Sequence, residues 1–243
     1  MSEVIDAYSR VGAGRPEESR RPEDALREMD AAGIAVSWIA PTDAFVAVDN
    51  REGNEFMAGL VAAHPDRFVG CAVANPWFGD RAVENLRRVF GAGLKVLFLY
   101  PPVQGFQLSD PLIDRLVEVA IEHGAPIYAH TGTPICAEPF QLMALARRFS
   151  EGRFIMGHMG YADFWYDAVP AAKSSGNVWL ETSLIDPDMI LNGVTALGAA
   201  RFLFGSCAPY SSLQVELEKI STLPIDERDR ALVLGGNARE LLK

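Results

Sequence analysis

Two short apolar segments of the chain each run into a histidine. Residues 127–134 read I-Y-A-H-T-G-T-P and residues 154–160 read F-I-M-G-H-M-G, so His130 and His158 each end a stretch typical of a buried strand. Imidazoles can bind a metal ion through a ring nitrogen, or they can accept and donate protons near neutral pH. A lone histidine at such a place is often only a satisfied polar residue. Two of them on consecutive strands indicate a functional site.

Other reactive or charged side chains follow further predicted strands. Tyr8 ends the first strand with Arg10 just beyond it, Glu181 ends the seventh, and Cys207 follows the eighth. Arg10 is suited to holding a substrate carboxylate. Glu181 is a candidate base or hydrogen-bond acceptor, with a salt bridge as the alternative. Cys207 has three interpretations: a thiolate metal ligand, a nucleophile paired with a histidine, or a small buried apolar residue.

Aromatic residues also cluster just after predicted strands. The group consists of Trp77, Phe78, Tyr100, Phe106, Tyr161, Phe164 and Trp165. Trp77, Phe106 and Tyr161 are the members that we expect to contact a ligand. An aromatic wall suits a planar or apolar molecule, and with Arg10 and Glu181 it predicts a binding site for a small molecule.

The elements that would position these residues alternate between strands and helices. The predicted strands cover residues 4–8, 34–40, 68–74, 94–99, 127–130, 154–158, 178–181 and 202–205. Helical segments separate them, and extra helices close the chain at residues 213–221, 226–234 and 237–242. Strands joined by crossover helices run parallel. Eight such units in 243 residues predict an α/β fold, a (β/α)8 TIM barrel that forms one domain over residues 1–243.

An open doubly wound sheet is the alternative fold. No G-x-G-x-x-G sequence follows the first strand, which removes the dinucleotide-binding form of that sheet. In a barrel the active site lies at the carboxyl ends of the strands. The candidate residues share that position, so the barrel prediction brings them together at one mouth.

Composition disfavours several classes of function. The net charge is −10, which argues against nucleic-acid binding and against an anionic membrane surface. The first residues lack the basic and apolar regions of a signal peptide, and no apolar run reaches the roughly 20 residues of a membrane span. Three cysteines are an odd and sparse set, which indicates a reducing compartment rather than a disulfide framework. We therefore expect a cytoplasmic protein with a small-molecule substrate and no nucleic-acid or membrane partner.

The assembled motifs resemble the amidohydrolase superfamily. The matching segments are I-D-A-Y-S-R-V-G, H-P-D-R-F, P-P-V-Q-G-F, A-H-T-G, G-H-M-G, L-E-T-S, F-G-S-C-A-P-Y and G-G-N-A-R-E-L-L, in family order over nearly the whole chain. The likeness is greatest to the amidohydrolase-related branch that includes aminocarboxymuconate-semialdehyde decarboxylase and 2-pyrone-4,6-dicarboxylate lactonase. It implies the barrel fold, hydrolase or decarboxylase (lyase) chemistry, and a possible homodimer.

The resemblance also defines where this chain departs from the family pattern. The family pattern has two metal-binding histidines at the end of the first strand, where this chain has Tyr8 and Arg10. Its eighth-strand aspartate, a metal ligand and base, is replaced by Cys207, whereas His130 and His158 match the family histidines. A protonated guanidinium repels a divalent cation and cannot ligate it. The metal site is therefore predicted to be degenerate.

Three functional hypotheses follow. The favoured one is an enzyme without a cofactor or tightly bound metal, acting on a small carboxylated or cyclic/aromatic substrate by hydrolysis or decarboxylation. Arg10 would anchor an anionic group, His130 and His158 would act as acid and base, Tyr8 would donate a hydrogen bond or proton, and Cys207 would line the pocket or, less favourably, attack. The second is a hydrolase with zinc on His130, His158 and Cys207, an accepted zinc ligand set. The third is a degenerate barrel that binds a small molecule or a partner subunit without catalysis.

Overall fold

Eight parallel strands form the centre of the computed structural model, which describes residues 3–161 and 163–243. The strands are β1 (Val4–Arg10), β2 (Ile34–Ala40), β3 (Phe68–Ala72), β4 (Val96–Leu99), β5 (Ile127–His130), β6 (Phe154–Gly157), β7 (Val178–Glu181) and β8 (Phe202–Leu203). Each strand pairs with its neighbours in chain order. Backbone hydrogen bonds join the last strand to the first: Ala7 N donates to Phe204 O at 2.8 Å and Cys207 N donates to Tyr8 O at 2.9 Å. The predicted TIM barrel is confirmed.

The helices lie between the strands and after the last one. They are α1 (Pro22–Ala32), α2 (Asp43–Val46), α3 (Arg51–Ala63), α4 (Asp80–Gly91), α5 (Pro101–Gln104), α6 (Asp114–Glu122), α7 (Pro139–Arg148), α8 (Trp165–Lys173), α9 (Pro187–Leu197), α10 (Leu213–Ser221), α11 (Glu227–Ala231) and α12 (Asn237–Leu241). Short 3-10 turns cover Pro76–Phe78, Pro111–Ile113, His158–Gly160 and Ala199–Arg201, and a π-helical turn covers Leu232–Gly236. No helix among the described residues is both long and apolar enough to cross a membrane.

Sequence periodicity explains how these elements pack. Side chains alternate across a strand, so Phe98 and Tyr128 join the apolar cluster inside the barrel, while Leu97 and Ile127 join the cluster between the strands and the helices. Helix α4 buries Val83, Leu86, Val89 and Phe90, which recur at helical spacing on its inner face. Helix α1 begins at a proline and ends before Gly33, whose φ of 70° completes a left-handed C-cap.

Strand β1 differs from its prediction in a way that affects the mouth of the barrel. It extends to Arg10 instead of ending at Tyr8, and its register against β2 shifts between Asp6, which pairs with Ser37, and Ser9, which pairs with Ile39. Such a bulge redirects the side chains that follow it. Arg10 is consequently a buried part of the barrel wall rather than a loop residue.

Candidate active site

The carboxyl ends of the strands enclose a cavity of about 430 Å³. Its lining comprises Tyr8, Arg10, Tyr100, His130, Gly132, Thr133, Pro134, His158, Tyr161, Asp163, Leu184, Cys207 and Tyr210. A slightly larger cavity of about 470 Å³ lies outside the barrel, beside α3 and α4, and contains none of the predicted site residues. The chemistry-bearing side chains are therefore gathered at the barrel mouth, where folds of this type carry their active sites.

The structure unites most of the predicted site residues and separates three of them. Arg10, both histidines, Tyr8, Cys207 and Tyr161 line the mouth cavity. Trp77 and Phe106 line a separate groove beside α5, so their predicted placement in the mouth is wrong. The reason is local bonding and packing: the indole of Trp77 donates to Gln104 O at 3.0 Å, and Phe106 is buried in the outer core. Glu181 lies behind the cavity wall and has no exposed surface, which corrects the prediction that it lines the substrate site.

His158 is held by its backbone and by one ring nitrogen. Its backbone N–H donates to Glu181 Oε2 at 3.0 Å, and Nδ1 lies 2.7 Å from Ser183 Oγ. Its φ of 60° lies in the left-handed region, a strained conformation that persists where the surroundings over-determine it. Burial, followed by the charge of Arg10, lowers the pKa of His158 to about 3. The imidazole is therefore neutral at physiological pH.

Glu181 is the acceptor that organises this side of the mouth. Its Oε2 accepts from the Tyr128 hydroxyl at 2.7 Å and from Ser183 Oγ at 3.0 Å, and its Oε1 accepts from Ser183 N at 2.6 Å. A Cβ at Gly157 would collide with the Tyr128 phenol and one at Gly205 with the Glu181 carboxylate, so the two glycines leave room for this pair. Burial raises the pKa of Glu181 to about 7, although its hydrogen bonds oppose the rise.

His130 lies between two aromatic rings at the entrance of the cavity. Its ring centroid is 4.9 Å from that of His158 and 4.4 Å from that of Tyr100. Burial, the neighbouring His158 and the charge of Arg10 hold its pKa well below the ordinary value. Both imidazoles of the mouth are thus neutral.

Arg10 supplies a fixed positive charge on the opposite side. Its Nε and Nη2 donate to Pro41 O at 3.1 and 2.8 Å, and its Nη1 lies 2.6 Å from Asp43 Oδ1. The guanidinium also lies 5.3 Å from the centre of the Tyr100 ring and 5.9 Å from that of Tyr210. Burial acts to lower its pKa, but Tyr8 and Asp43 outweigh that effect and raise it. The side chain remains a cation at every relevant pH.

Tyr8 and Cys207 complete the wall beside Arg10. The Tyr8 ring stacks on Tyr128 with centroids 4.5 Å apart and meets the His158 ring edge-on at 5.3 Å. Burial raises the pKa of the Tyr8 phenol well above its ordinary value. Burial, followed by the charge of Glu181, does the same for the Cys207 thiol. Both groups therefore carry their protons at neutral pH, and Cys207 is not a thiolate.

This donor chemistry does not fit a divalent metal. The described residues contain no group of three or more histidine, cysteine, aspartate or glutamate side chains placed to hold an ion. The two imidazoles could ligate, but Tyr8, Cys207 and the Arg10 cation line the cavity with them, and Asp163, the carboxylate of the lining, does not form such a group with the histidines. A guanidinium has no lone pair to give and repels a second positive charge.

Sequence reasoning assigned no role to several residues of the site, although Ser183 was expected at the mouth, at the end of the seventh strand. Tyr210 contacts Arg10 from a loop, Asp43 contacts it from the first residue of α2, and Ser183 contacts His158 from the turn after β7. Tyr128 and Asp6 lie within strands whose sequences indicate only an apolar wall. A signal existed for two of them: Ser183 follows Glu181 in the L-E-T-S segment, and Tyr210 ends F-G-S-C-A-P-Y. No local pattern marks Asp43, because its role depends on where the chain after β2 passes over the mouth.

Comparison with known proteins identifies the family to which this chain is similar. The family model described as Amidohydrolase matches residues 8–243. Among curated proteins, no relative matches the chain.

Several solved structures share the architecture. The 5-carboxyvanillate decarboxylase of Sphingomonas paucimobilis is 20% identical, with a TM-score of 0.79, over 100% of this chain and 99% of the other. A dihydroxybenzoic acid decarboxylase of Polaromonas sp. JS666, solved with bound manganese and the inhibitor 2-nitroresorcinol, is 18% identical with a TM-score of 0.78, covering 100% and 97%. The 2,6-dihydroxybenzoate decarboxylase of Rhizobium is 18% identical with a TM-score of 0.78, covering 100% and 99%. At these identities the likeness concerns the fold.

Proposed function

Because this chain belongs to the amidohydrolase family, whose model it matches over nearly its whole length, we propose that it decarboxylates small hydroxylated aromatic or cyclic acids without a tightly bound metal. Membership confirms the resemblance drawn from the sequence motifs. It also confirms the expectation of an enzyme of the hydrolase or carboxy-lyase type. The reaction, its substrate class and its independence of metal are our proposal.

One observation carries it: a buried, permanently charged guanidinium lines the same aromatic-walled cavity as two neutral imidazoles. A cation held in place before the substrate arrives suits an anionic group on that substrate. Arg10 retains guanidinium N–H groups beyond those directed to Pro41 and Asp43. The substrate carboxylate or an adjacent phenolic oxygen is the group that we assign to them.

The walls of the cavity support a planar substrate. Tyr100, Tyr161 and Tyr210 place aromatic rings around a space of about 430 Å³, which lies within the size range of small-molecule sites. The names of the structural neighbours point the same way, since three of them are decarboxylases of hydroxylated or methoxylated aromatic acids. An aromatic acid that bears a ring hydroxyl meets all of these conditions.

The chemistry required of the protein is proton delivery and charge stabilisation. Decarboxylation adds a proton to the ring carbon that carries the carboxylate. The carbon–carbon bond then breaks, and its electron pair returns to the ring as carbon dioxide leaves. We assign proton transfer to the pair His130 and His158, and stabilisation of the charged oxygen to Arg10 and the Tyr8 hydroxyl. Cys207 lines the pocket.

A substrate survey with control of metal tests the proposal. The purified protein is treated with a chelator and incubated in D₂O with hydroxylated benzoic acids and, in a parallel arm, with cyclic esters. We expect carbon dioxide release and one deuterium at the vacated ring carbon, unchanged by chelation. Turnover that appears only after zinc or manganese is added would contradict metal independence. Cleavage of the esters alone would identify a hydrolase, and saturable binding of the acids without turnover would identify a binding protein.

A further inference from the structure

We infer that Glu181, Ser183 and His158 form a proton relay, in which Nε2 of His158 gives a proton to the substrate while Nδ1 receives one through the Ser183 hydroxyl from the Glu181 carboxyl group. The inference rests on the proposed decarboxylation, because that reaction needs a proton at carbon. It goes further by assigning roles to two residues that do not touch the substrate. Glu181 and Ser183 are positioning and proton-supplying residues behind His158.

The geometry is a continuous chain of short contacts. Glu181 Oε2 lies 3.0 Å from Ser183 Oγ, and Ser183 Oγ lies 2.7 Å from His158 Nδ1. All three side chains are buried, with exposures of 0% for Glu181 and Ser183 and 1% for His158. Since Nδ1 faces Ser183 and His158 also lines the cavity, the free nitrogen Nε2 is the atom available to a ligand there.

Counting hydrogens gives the state with Glu181 ionised. A carboxylate only accepts, so the Ser183 hydroxyl directs its single proton to Oε2 and presents a lone pair to His158. The imidazole then carries its proton on Nδ1, which donates to Ser183 Oγ. In this state Nε2 is bare and faces the cavity as a base.

Protonation of Glu181 reverses the direction of both hydrogen bonds in the relay. The Glu181 O–H donates to Ser183 Oγ, the Ser183 O–H donates to Nδ1, and the imidazole proton resides on Nε2. During the reaction the Nε2–H bond breaks as a C–H bond forms on the substrate. Ser183 passes its proton to Nδ1 and receives one from Glu181, which ends as a carboxylate. Ser183 Oγ gains one proton and loses one, Nδ1 gains a proton as Nε2 loses one, and the proton that the substrate carbon gains is balanced by the one that Glu181 loses. The imidazole therefore stays neutral, and no imidazolium forms at any point.

Avoiding an imidazolium matters at this position. Burial and the nearby Arg10 disfavour a positive charge on His158, as its depressed pKa indicates. A proton that arrives at Nδ1 as another leaves Nε2 removes that penalty. The groups that face the Glu181 carboxyl are Tyr128, Ser183, His158, Tyr8 and Cys207, none of them cationic. Burial among them raises its pKa to about 7, so it holds a proton in an appreciable fraction of molecules near neutrality.

Nitrogen NMR of histidine-labelled protein tests the relay without any assay of activity. At neutral pH we expect the His158 ring nitrogens of the wild type to show shifts averaged between the Nδ1–H and Nε2–H forms. In Glu181→Gln, whose amide does not change its protonation state near neutral pH, a single form should remain. A wild type with one form only, or the same average in E181Q, would overturn the relay while leaving the proposed decarboxylation untouched.

Steady-state kinetics provide a second test of the relay, with a substrate identified by the survey of hydroxylated benzoic acids. Ser183→Ala should lower kcat by about 100-fold, within the usual range for a lost general acid, with KM nearly unchanged. The solvent isotope effect on kcat should also fall, because several protons move in the transition state of the wild type and only one moves in that of the variant. Ser9→Ala is the matched control, because it deletes another buried hydroxyl, bonded to Ser37 Oγ at 2.8 Å, that has no contact with His158. Equal losses in S9A and S183A would refute the relay and indicate a general packing effect.

Discussion

Each side of the barrel mouth has a buried carboxylate that accepts two hydrogen bonds from one serine. The two carboxylate–serine pairs have the same arrangement but are connected to different groups. On the β7 side, Glu181 accepts from Ser183 N at 2.6 Å and from Ser183 Oγ at 3.0 Å. On the β1 side, Asp6 accepts from Ser206 N and from Ser206 Oγ, both at 2.8 Å. Ser183 continues to an imidazole at the cavity, whereas Ser206 continues to the backbone N–H of Ala208.

The difference shows that burial and shared hydrogen bonds do not by themselves make a proton path. Glu181 and Asp6 are both fully buried, and burial raises the pKa of both, to about 7 and about 6. Only Glu181 connects, through the Ser183 hydroxyl, to a side-chain nitrogen at the cavity, Nδ1 of His158. Asp6 instead joins Ser206 to Ser37, whose hydroxyl donates to it at 3.1 Å, and so links β8, β1 and β2 where the barrel closes.

The β1 side contributes charge rather than protons, and replacing Arg10 should have the largest effect there. Arg10→Met removes the charge that we assign to the substrate anion. Losing a charge-assisted hydrogen bond costs about 2–3 kcal/mol, or roughly 30- to 160-fold in kcat/KM. Steady-state kinetics on the decarboxylated acid would measure it, and we expect most of the loss in KM.

Arg15→Met is the matched control for Arg10. Arg15 also pairs with Asp43, at 3.2 Å, but its side chain is 61% exposed and does not line the cavity. Both variants deprive Asp43 of one partner, so a loss that comes only from Asp43 would appear in both. Similar kinetics in R10M and R15M would break the contrast between a charged side and a proton-transferring side.

The features that the sequence predicts are local ones, and those that it does not predict depend on contacts between distant parts of the chain. The barrel follows from strand and helix periodicity, and His130, His158 and Cys207 follow from their positions at strand ends, since these features are local. The bulge in β1 that places Arg10 in the wall is not local, because it depends on register against β2. The Tyr128–Glu181 bond joins residues 53 positions apart, and Trp77 was misplaced because its ring direction depends on a carbonyl of α5.

Asp6→Asn tests whether the β1 carboxylate acts on stability alone. A carboxyl whose folded pKa is about 6 instead of 3.8 binds its proton more tightly in the folded state. The stability that it contributes is therefore present below pH 3.8 and is lost as pH rises through 6. The full change is at most about 3 kcal/mol.

Urea unfolding between pH 4 and pH 7 would measure that change. We expect the free energy of unfolding of the wild type to fall relative to that of D6N as pH rises across this window. Asp80→Asn, at a side chain that is 81% exposed, controls for the change in net charge. Parallel pH curves for wild type and D6N would mean that Asp6 is not desolvated as the structure indicates.

The smallest effect should come from Cys207, although it occupies a position where the family pattern has a reactive aspartate. Its side chain is buried and its pKa is raised well above the ordinary thiol value, so it is a thiol rather than a nucleophilic thiolate. Cys207→Ala should change kcat/KM by no more than about threefold, the range of a substitution that removes no special contact. Iodoacetamide at neutral pH should label the partly exposed Cys136 and leave Cys207 unmodified in the folded protein. A loss of 100-fold or more in C207A, with labelling of Cys207 that substrate prevents, would instead make the β1 side a second reactive centre, and the division between charge and proton transfer would no longer hold.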